Sequence, residues 1–401
     1  MSVPTLPLKG VRIADFTIHA AGPFGTHVLS QLGAECIKIE SRSRPDAFRK
    51  PHAVYGRMTA ATFDQVSANK LSVRLNLKKP EAVELAKRIV SVSDVATESF
   101  RPGVLKRLGL GFDELLKVRP DLLMLSLSSS GQAGPDSHFA GYAPLFGAWG
   151  GLGWMTGYPD GPPVEIRHVM DHTSGYHAAL ALLAGLHQRR RTGKAQYIDL
   201  AAREVSSALI GDALVMASMG LDAARPGNGD LAMAPHGVYE TAQADRWLSL
   251  AIRNDAEWEK LLEVLEIPAE SQDPDFATAA GRRRNRERLD HQLGEWLSRH
   301  DADRLAVALQ SQGVCAQVSC TMQDIADDPH LHQRGTLVEV EDPSVEKRYA
   351  VGSPARYSKT GGAGVHRGTP ELGQDEDYVF GELLGMNRET RADLEAREVI
   401  Y

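Results

Sequence analysis

Residues 10–40, GVRIADFTIHAAGPFGTHVLSQLGAECIKIE, decide the fold. Val11 to Phe16 is an apolar run after a glycine and predicts a buried strand. A small and polar segment follows. Pro23 to Leu32 is then apolar at helical spacing, and Gly33 stops it as a C-cap does. Glu35 to Glu40 predicts the next strand. Strand, helix, strand in this order is a βαβ crossover, which implies a parallel sheet. The pattern continues. Pro80 opens a helix running to Val92. Asp94 to Thr97 is a short strand, residues 103–118 are helical, and residues 121–128 (DLLMLSLS) are strongly strand-like. The first third of the chain therefore reads as a doubly wound α/β unit.

Residues 129–165 are rich in Gly, Pro and aromatics, with one helix expected over 143–155. Long loops within α/β enzymes tend to carry function. Residues 172–191 predict a helix whose basic C-terminal end suits its dipole. Residues 196–200 predict a strand and 201–219 another helix. ARPGNGD, near residue 225, is a turn cluster. After it come a hairpin within 237–252, helices at about 255–265, 283–299 and 301–312, and a strand over 314–319. Residues 226–330 thus read as a smaller α+β domain. A further β segment is expected at 335–343, and helix again within 370–396.

The chain has 401 residues, long enough for two or three domains and for a core that needs no metal or disulfide. With 45 Lys and Arg against 52 Asp and Glu it is acidic, which argues against a nucleic-acid partner. Three cysteines, Cys36, Cys315 and Cys320, are too few and too scattered for a disulfide framework or a zinc site. No leader peptide and no apolar run long enough to span a membrane is read. The expectation is a soluble, cytoplasmic protein. GxxxxGK[ST], GxGxxG, GxSxG and HExxH are all missing, which disfavours NTPase, NAD-dependent, α/β-hydrolase and zincin chemistry. His330 and His332 are a weak ligand hint, and no metal site is assigned.

Asp171 has two readings. It is an N-cap for the helix that follows, or a nucleophilic carboxylate kept ionised by the helix N-terminus. Gly147, Gly150, Gly151 and Gly153 either permit close packing or supply N–H groups to a thioester oxyanion. Lys78, Arg101 and Arg107 are either solvated or grip the phosphates of a nucleotide-bearing ligand.

Seven blocks in order then make the sequence recognisable. They are residues 10–40, NKLSVRLNLKKPE, ESFRPGVLKRLGLGFDEL, RPDLLMLSLSSSGQAGP, MDHTSGYHAALALLAGLHQRRRTGKAQYIDL, PHGVYETAQADRWLSLAIRNDAEWEKL and DPHLHQRGTLVEVEDP. Together they resemble the class III CoA-transferases over nearly the whole chain. The resemblance implies a large Rossmann-like CoA-binding domain built from both chain ends (1–225 and the return at 331–401), the smaller domain at 226–330, and two subunits interlocked like chain links. It implies Asp171 as the nucleophile, passing through an aspartyl anhydride and an aspartyl-CoA thioester, with CoA thioesters as substrates and no permanently bound cofactor. It implies CoA contacts at Ala20, Ala21, Arg42 (or Ser41), Leu75, Asn76, Lys78, Ser99, Phe100, Arg101, Arg107 and Tyr142.

Ala20 and Ala143 replace a glutamine and a glutamate of formyl-CoA transferase. Its tetraglycine loop has no counterpart beyond GNGD at 227–230, which puts formate and oxalate in doubt. The loop LFGAWGGLGWMTGY is bulky and apolar, and Phe146, Trp149, Gly150, Gly151 and Trp154 are expected to form a substrate pocket. GYAPLFGAWGGL and TGYPDGPP look most like the succinyl-CoA:benzylsuccinate CoA-transferases, implying succinyl-CoA as donor and a bulky acid as acceptor. Two alternatives accompany this. An α-methylacyl-CoA racemase would need a histidine where Tyr142 stands, unless His138 or His168 substituted. A silent subunit of a hetero-oligomer would lack the aspartate. The partner chain is either identical or a homologue.

Overall fold

The first strands are β1 (Arg12–Asp15), β2 (Glu35–Glu40), β3 (Leu71–Arg74), β4 (Val95–Glu98), β5 (Leu123–Ser128) and β6 (Gln196–Ala201). They form one sheet in the order β3-β2-β1-β4-β5-β6. Every pairing is parallel. The order reverses between β1 and β4, as in doubly wound dinucleotide-type sheets. This computed structural model describes residues 6–49, 61–166, 168–221, 225–342, 345–360 and 362–401. Residues 1–5, Ala224 and Pro343, read above as leading segment, turn cluster and β segment, lie outside them.

Both sheet faces are covered, so the central strands are buried, and the polar groups they carry, such as Asp15 and Lys38, are paired within the protein. The main helices of this unit are α1 (Ala21–Gln31), α2 (Pro80–Ser91), α3 (Ala143–Gly150), α4 (Val169–Thr192), α5 (Ala202–Leu209) and α6 (Gly211–Ser218). Pro80 opens α2, which buries Ala82, Leu85, Ala86, Ile89 and Val90 at helical spacing. One core cluster joins α2 to Ala14, Ile37, Val73, Phe380 and Ile400. The other joins Ile13, Leu29 and Leu125 to Leu182 and Leu186 of α4.

Some elements differ from expectation. The helix predicted over 103–118 splits into Val104–Arg107 and Phe112–Leu116, because Gly109 turns left-handed between them. The helix predicted over 143–155 is closed at Gly151, also left-handed, and the one over 201–219 breaks at Ile210.

The described chain divides into two compact units. One comprises Met1–Gly153, Glu165–Met219 and Pro329–Tyr401; the other comprises Trp154–Val164 and Gly220–Asp328. The second carries an antiparallel sheet of β7 (His236–Glu240), β8 (Trp247–Ala251) and β9 (Cys315–Val318). Its helices α7 (Asp255–Val264), α8 (Arg286–Leu297) and α9 (Ala302–Ser311) bury Leu261, Leu289, Leu293 and Leu305 against that sheet. In the first unit, the hairpin of β10 (Leu337–Asp342) and β11 (Val345–Val351) leads to a π-helical turn at Asp377–Leu383 and to α10 (Arg388–Ala396). This segment closes the β3 edge: Ser72 N–H donates to Asp375, and Arg74 pairs with Glu376 at 2.6 Å. Among the described residues no helix is long and apolar enough to cross a membrane.

A buried charge network sits at the carboxyl end of β1. The Asp15 carboxylate is fully buried and 3.0 Å from Lys70 Nζ, itself fully buried. Lys70 also donates to Thr26 Oγ1 and to the Pro23 carbonyl, each at 2.8 Å. Asp15 accepts from Thr17 N–H at 2.9 Å. Lys38 Nζ donates to Asp46 at 3.1 Å and to the Thr17 carbonyl at 2.8 Å. Burial alone would raise the Asp15 pKa; the Lys70 and Lys38 charges and the Thr17 and Thr26 hydroxyls outweigh it and hold the carboxyl well below the usual range. Removing one partner of such a pair strands the other charge. Lys70→Met is expected to lower unfolding free energy by about 3–5 kcal/mol in urea titrations. A loss below about 1 kcal/mol would contradict this account.

Candidate active site

Three strand ends converge on one cavity of about 440 Å³. The loop after β1 contributes Ile18, His19, Ala21 and Gly22, and the loop after β4 contributes Ser99 to Pro102. Ser128 and Ser129 come from the end of β5. The cavity lies where the strand order reverses, the place where diverging crossovers leave a crevice. Its remaining wall is Phe139 to Tyr142, Phe146, Asp171 and Ala202, with Arg44 among the polar groups.

Four helices begin at this wall. Ala21 starts α1, Tyr142 precedes α3, Asp171 lies in the first turn of α4, and Ala202 starts α5. None of the four N-caps makes a side-chain capping bond. Of their first-turn N–H groups, Arg203 N–H of α5 already donates to the Ser129 carbonyl at 3.0 Å; the positive ends of the helix dipoles at this wall favour an anion there.

Asp171 is not the N-cap. That position belongs to His168, whose backbone is left-handed, and α4 begins three residues earlier than expected. Asp171 is the third helical residue, with a side chain 17% exposed. Burial pushes its carboxyl up to about 6, against a smaller opposing pull from His172. His168 Nδ1 stands 4.0 Å from Asp171 Oδ2. His172 Nδ1 donates to the His168 carbonyl at 2.8 Å, and its ring packs edge-on against Phe24 at 4.4 Å. Asp171 is thus ionised at neutral pH yet poorly solvated, the state in which a carboxylate is most nucleophilic.

Two glycines bring Asp171 to the loop after β1. A Cβ on Gly175 of α4 would lie 2.8 Å from the Ala21 carbonyl and 3.0 Å from Gly25 N. A Cβ on Gly25 of α1 would lie 2.9 Å from the Gly175 carbonyl. α1 and α4 therefore touch backbone to backbone near their second turns, as only glycine allows.

Of the residues expected to contact CoA, Ala21, Ser99, Phe100, Arg101 and Tyr142 line the cavity. Ala20 is buried beside them as the N-cap of α1. Arg42, Leu75, Asn76, Lys78 and Arg107 do not line it. Leu75 lies in the sheet core, Arg42 stacks on Tyr401, and Asn76 donates to the Glu398 carbonyl. Lys78 and Arg107 are exposed.

Of the residues expected in the substrate pocket, Phe146 lines the cavity. Trp149 stacks on Phe139, itself a lining residue, at 5.5 Å. The glycines nearby pack closely. A Cβ on Gly150 would meet Ser206 at 2.2 Å, and Cβ atoms on Gly147 and Gly153 would meet the Glu165 carboxylate at 2.4 and 2.0 Å. Gly151 turns the chain out of α3. Trp154 belongs to the second unit, where Arg225 stacks on it at 4.7 Å. His19, Arg44, Ser128, Ser129 and Phe139 were not singled out from sequence. Their one local signal is a histidine in a loop of small residues between a strand and a helix.

The family model of CoA-transferase family III matches residues 8–376. The chain is 34% identical to succinyl-CoA–D-citramalate CoA-transferase of Chloroflexus aurantiacus, covering 99% of each protein. It is 31% identical to the beta subunit of succinyl-CoA–L-malate CoA-transferase from the same organism, covering 99% of this chain and 98% of that one. A crystal structure of a CAIB/BAIF family protein from Brucella suis superposes with a TM-score of 0.86 at 30% identity, over 95% of this chain and 100% of that one.

The raised Asp171 pKa has a stability consequence. The folded value, about 6, lies above the ordinary 3.8, so the folded protein binds this proton more tightly than the unfolded chain. That contribution is fully present below pH 3.8 and is lost as pH rises through about 6. Asp171→Asn, which mimics the protonated acid, is expected to stabilise the protein at pH 7 by about 2 kcal/mol. The gain should shrink towards zero at pH 4 in parallel denaturant titrations.

Proposed function

Because the chain belongs to CoA-transferase family III, we propose that it moves CoA from succinyl-CoA to a dicarboxylic acid bearing an apolar substituent, of the benzylsuccinate kind. The observation that carries this reading is Asp171, a desolvated carboxylate on the wall of a cavity where four helix N-termini meet. Acyl-CoA thioesters and carboxylic acids are the substrates of the family.

In the proposed cycle an Asp171 oxygen attacks the succinyl carbonyl and the C–S bond breaks. This yields a mixed anhydride and CoA thiolate. The thiolate attacks the Asp171 carbonyl, releasing succinate and leaving an aspartyl-CoA thioester. The acceptor carboxylate attacks that thioester, and the freed thiolate then attacks the acceptor carbonyl of the new anhydride. Acceptor-CoA leaves and the Asp171 carboxylate returns. No net proton is transferred. Each tetrahedral oxyanion develops beside the uncapped helix starts, where fixed N–H dipoles favour it. Holding the reactants in place supplies the rest of the advantage over free acids in water.

Succinyl-CoA as donor is supported by the names of the D-citramalate and L-malate enzymes, whose acceptors are both dicarboxylates. The apolar substituent is supported by Phe139, Tyr142 and Phe146 on the cavity wall. We further propose an interlocked dimer, either of two copies or with a homologous chain. Along α4, Tyr176 and Leu180 are exposed, Leu180 by 65%, and Leu214 and Val215 are exposed on α6. Apolar stripes of this kind mark protein interfaces. The proposed compartment is the cytoplasm, where the exposed Cys315 and Cys320 thiols stay reduced.

Three measurements test this. Incubation with succinyl-CoA and trapping with hydroxylamine or borohydride should give an adduct at Asp171 by intact-protein mass spectrometry, absent from Asp171→Ala; an unmodified Asp171 would sink the mechanism. The rate of adduct formation should rise about tenfold per pH unit below about 6 and level off above it. Light scattering should give twice the chain mass of 43.6 kDa, and Leu180→Asp should shift it towards the monomer.

A further inference from the structure

One wall of the cavity carries two nitrogen-bearing side chains, the exposed Arg44 and the half-buried His19. Arg44 lines the cavity, and among the described residues no acidic side chain pairs with it. His19 lines the same cavity. Its ring makes edge contacts with Phe48 at 6.0 Å and Tyr142 at 5.9 Å. Among the described residues neither ring nitrogen has a hydrogen-bond partner. Burial lowers the His19 pKa, Asp46 opposes it, and the Lys38 charge and, least, the Arg44 charge add to the lowering.

The backbone at His19 is strained on purpose. Its φ is +66°, a region that side-chain-bearing residues rarely adopt. Buried groups hold it there. His19 N–H donates to Asp46 at 3.1 Å. Ser99 Oγ accepts from Ile18 N–H at 2.9 Å and donates to the Ile18 carbonyl at 3.1 Å. Lys38 holds the Thr17 carbonyl at 2.8 Å. A strained residue that its surroundings over-determine, and that faces a ligand cavity, points to a ligand contact.

What would these groups hold? In a two-step transfer through Asp171, donor and acceptor acids occupy the same space in turn. Each places its reacting carboxyl at Asp171. The far carboxylate of a dicarboxylic acid must then leave water, which is costly without a partner. We propose that Arg44 and His19 together bind the non-reacting carboxylate of a dicarboxylic acyl group and so select dicarboxylic over monocarboxylic acids. This rests on the transferase reading above. The same two groups would also suit a phosphate of CoA, but that group is present in every thioester, whereas the second carboxylate is not. Arg101, on the loop after β4 and likewise lining the cavity, remains for the phosphates.

The test compares succinyl-CoA with butyryl-CoA, which has the same chain length and lacks the second carboxylate. Dissociation constants are measured by calorimetry in an Asp171→Asn background, where no turnover occurs. The background protein is expected to bind succinyl-CoA more tightly. Adding Arg44→Ala or His19→Ala is expected to weaken succinyl-CoA about 10-fold or more and to leave butyryl-CoA unchanged, with Arg44→Lys keeping part of the preference. Equal weakening of both thioesters would assign the pair to CoA phosphates and overturn the proposal. So would the absence of any preference for succinyl-CoA in the background protein, or variants that leave the preference intact. Melting temperatures of the unliganded variants near that of the background show that the fold is kept. If the preference behaves as expected while the wild type forms no Asp171 adduct, the transferase reading fails and the carboxylate site stands.

Discussion

The Asp15–Lys70 ion pair is the constraint on which the site depends. Neither group reaches water, so every lone pair and proton on them has to be met by protein. The partners that meet them are the start of the loop after β1, the first turn of α1 and the end of β4. Lys38 and Asp46 extend the network along β2 to the Thr17 carbonyl and the His19 N–H. The consequence is a loop with little freedom, although it lies at a cavity. Its shape is dictated from beneath by charges, not from above by a ligand.

Above that loop, two opposing effects act on one carboxylate. Burial favours the protonated form of Asp171, and the surrounding helix starts favour an anion in the cavity. The balance leaves Asp171 charged at neutral pH but short of water. Such a group destabilises the resting fold, and under the proposed function that cost is the counterpart of its reactivity. A protonated acid here would be more stable and chemically idle.

Much of the architecture was legible in the sequence, for physical reasons. β5 is an apolar run buried on both faces, as a covered parallel sheet requires, while β1, β2 and β4 show as short apolar stretches between strand-breaking loops. β3 escapes a reading of the sequence because LSVR, between polar residues, is held in the sheet by the far end of the chain, where Arg74 pairs with Glu376. The breaks at Gly109 and Ile210 are local events that helical periodicity does not register. Asp171 stood out by its position before a long helix and by resemblance. Its N-cap reading failed because the helix starts at a left-handed His168, which no residue preference marks. His19 and Arg44 were passed over for a different reason. They are unremarkable in one dimension, and only the sheet order brings them to the cavity that holds Asp171.

The contact between Gly25 and Gly175 has a consequence for how this chain can change over evolutionary time. Main chain meets main chain there, with Phe24 and Ala178 the nearest side chains, so a Cβ at either glycine would push α1 and α4 apart. Those two positions are therefore held to glycine, and with them the approach of Asp171 to the neighbouring loop. Tyr142 and Phe146, on another wall of the cavity, lie at a different helix start. Under the proposed function, the chain could alter the acid it takes at α3 while the carboxylate proposed to react stays in the α1–α4 pair, so that specificity and reactivity would be inherited as separate modules.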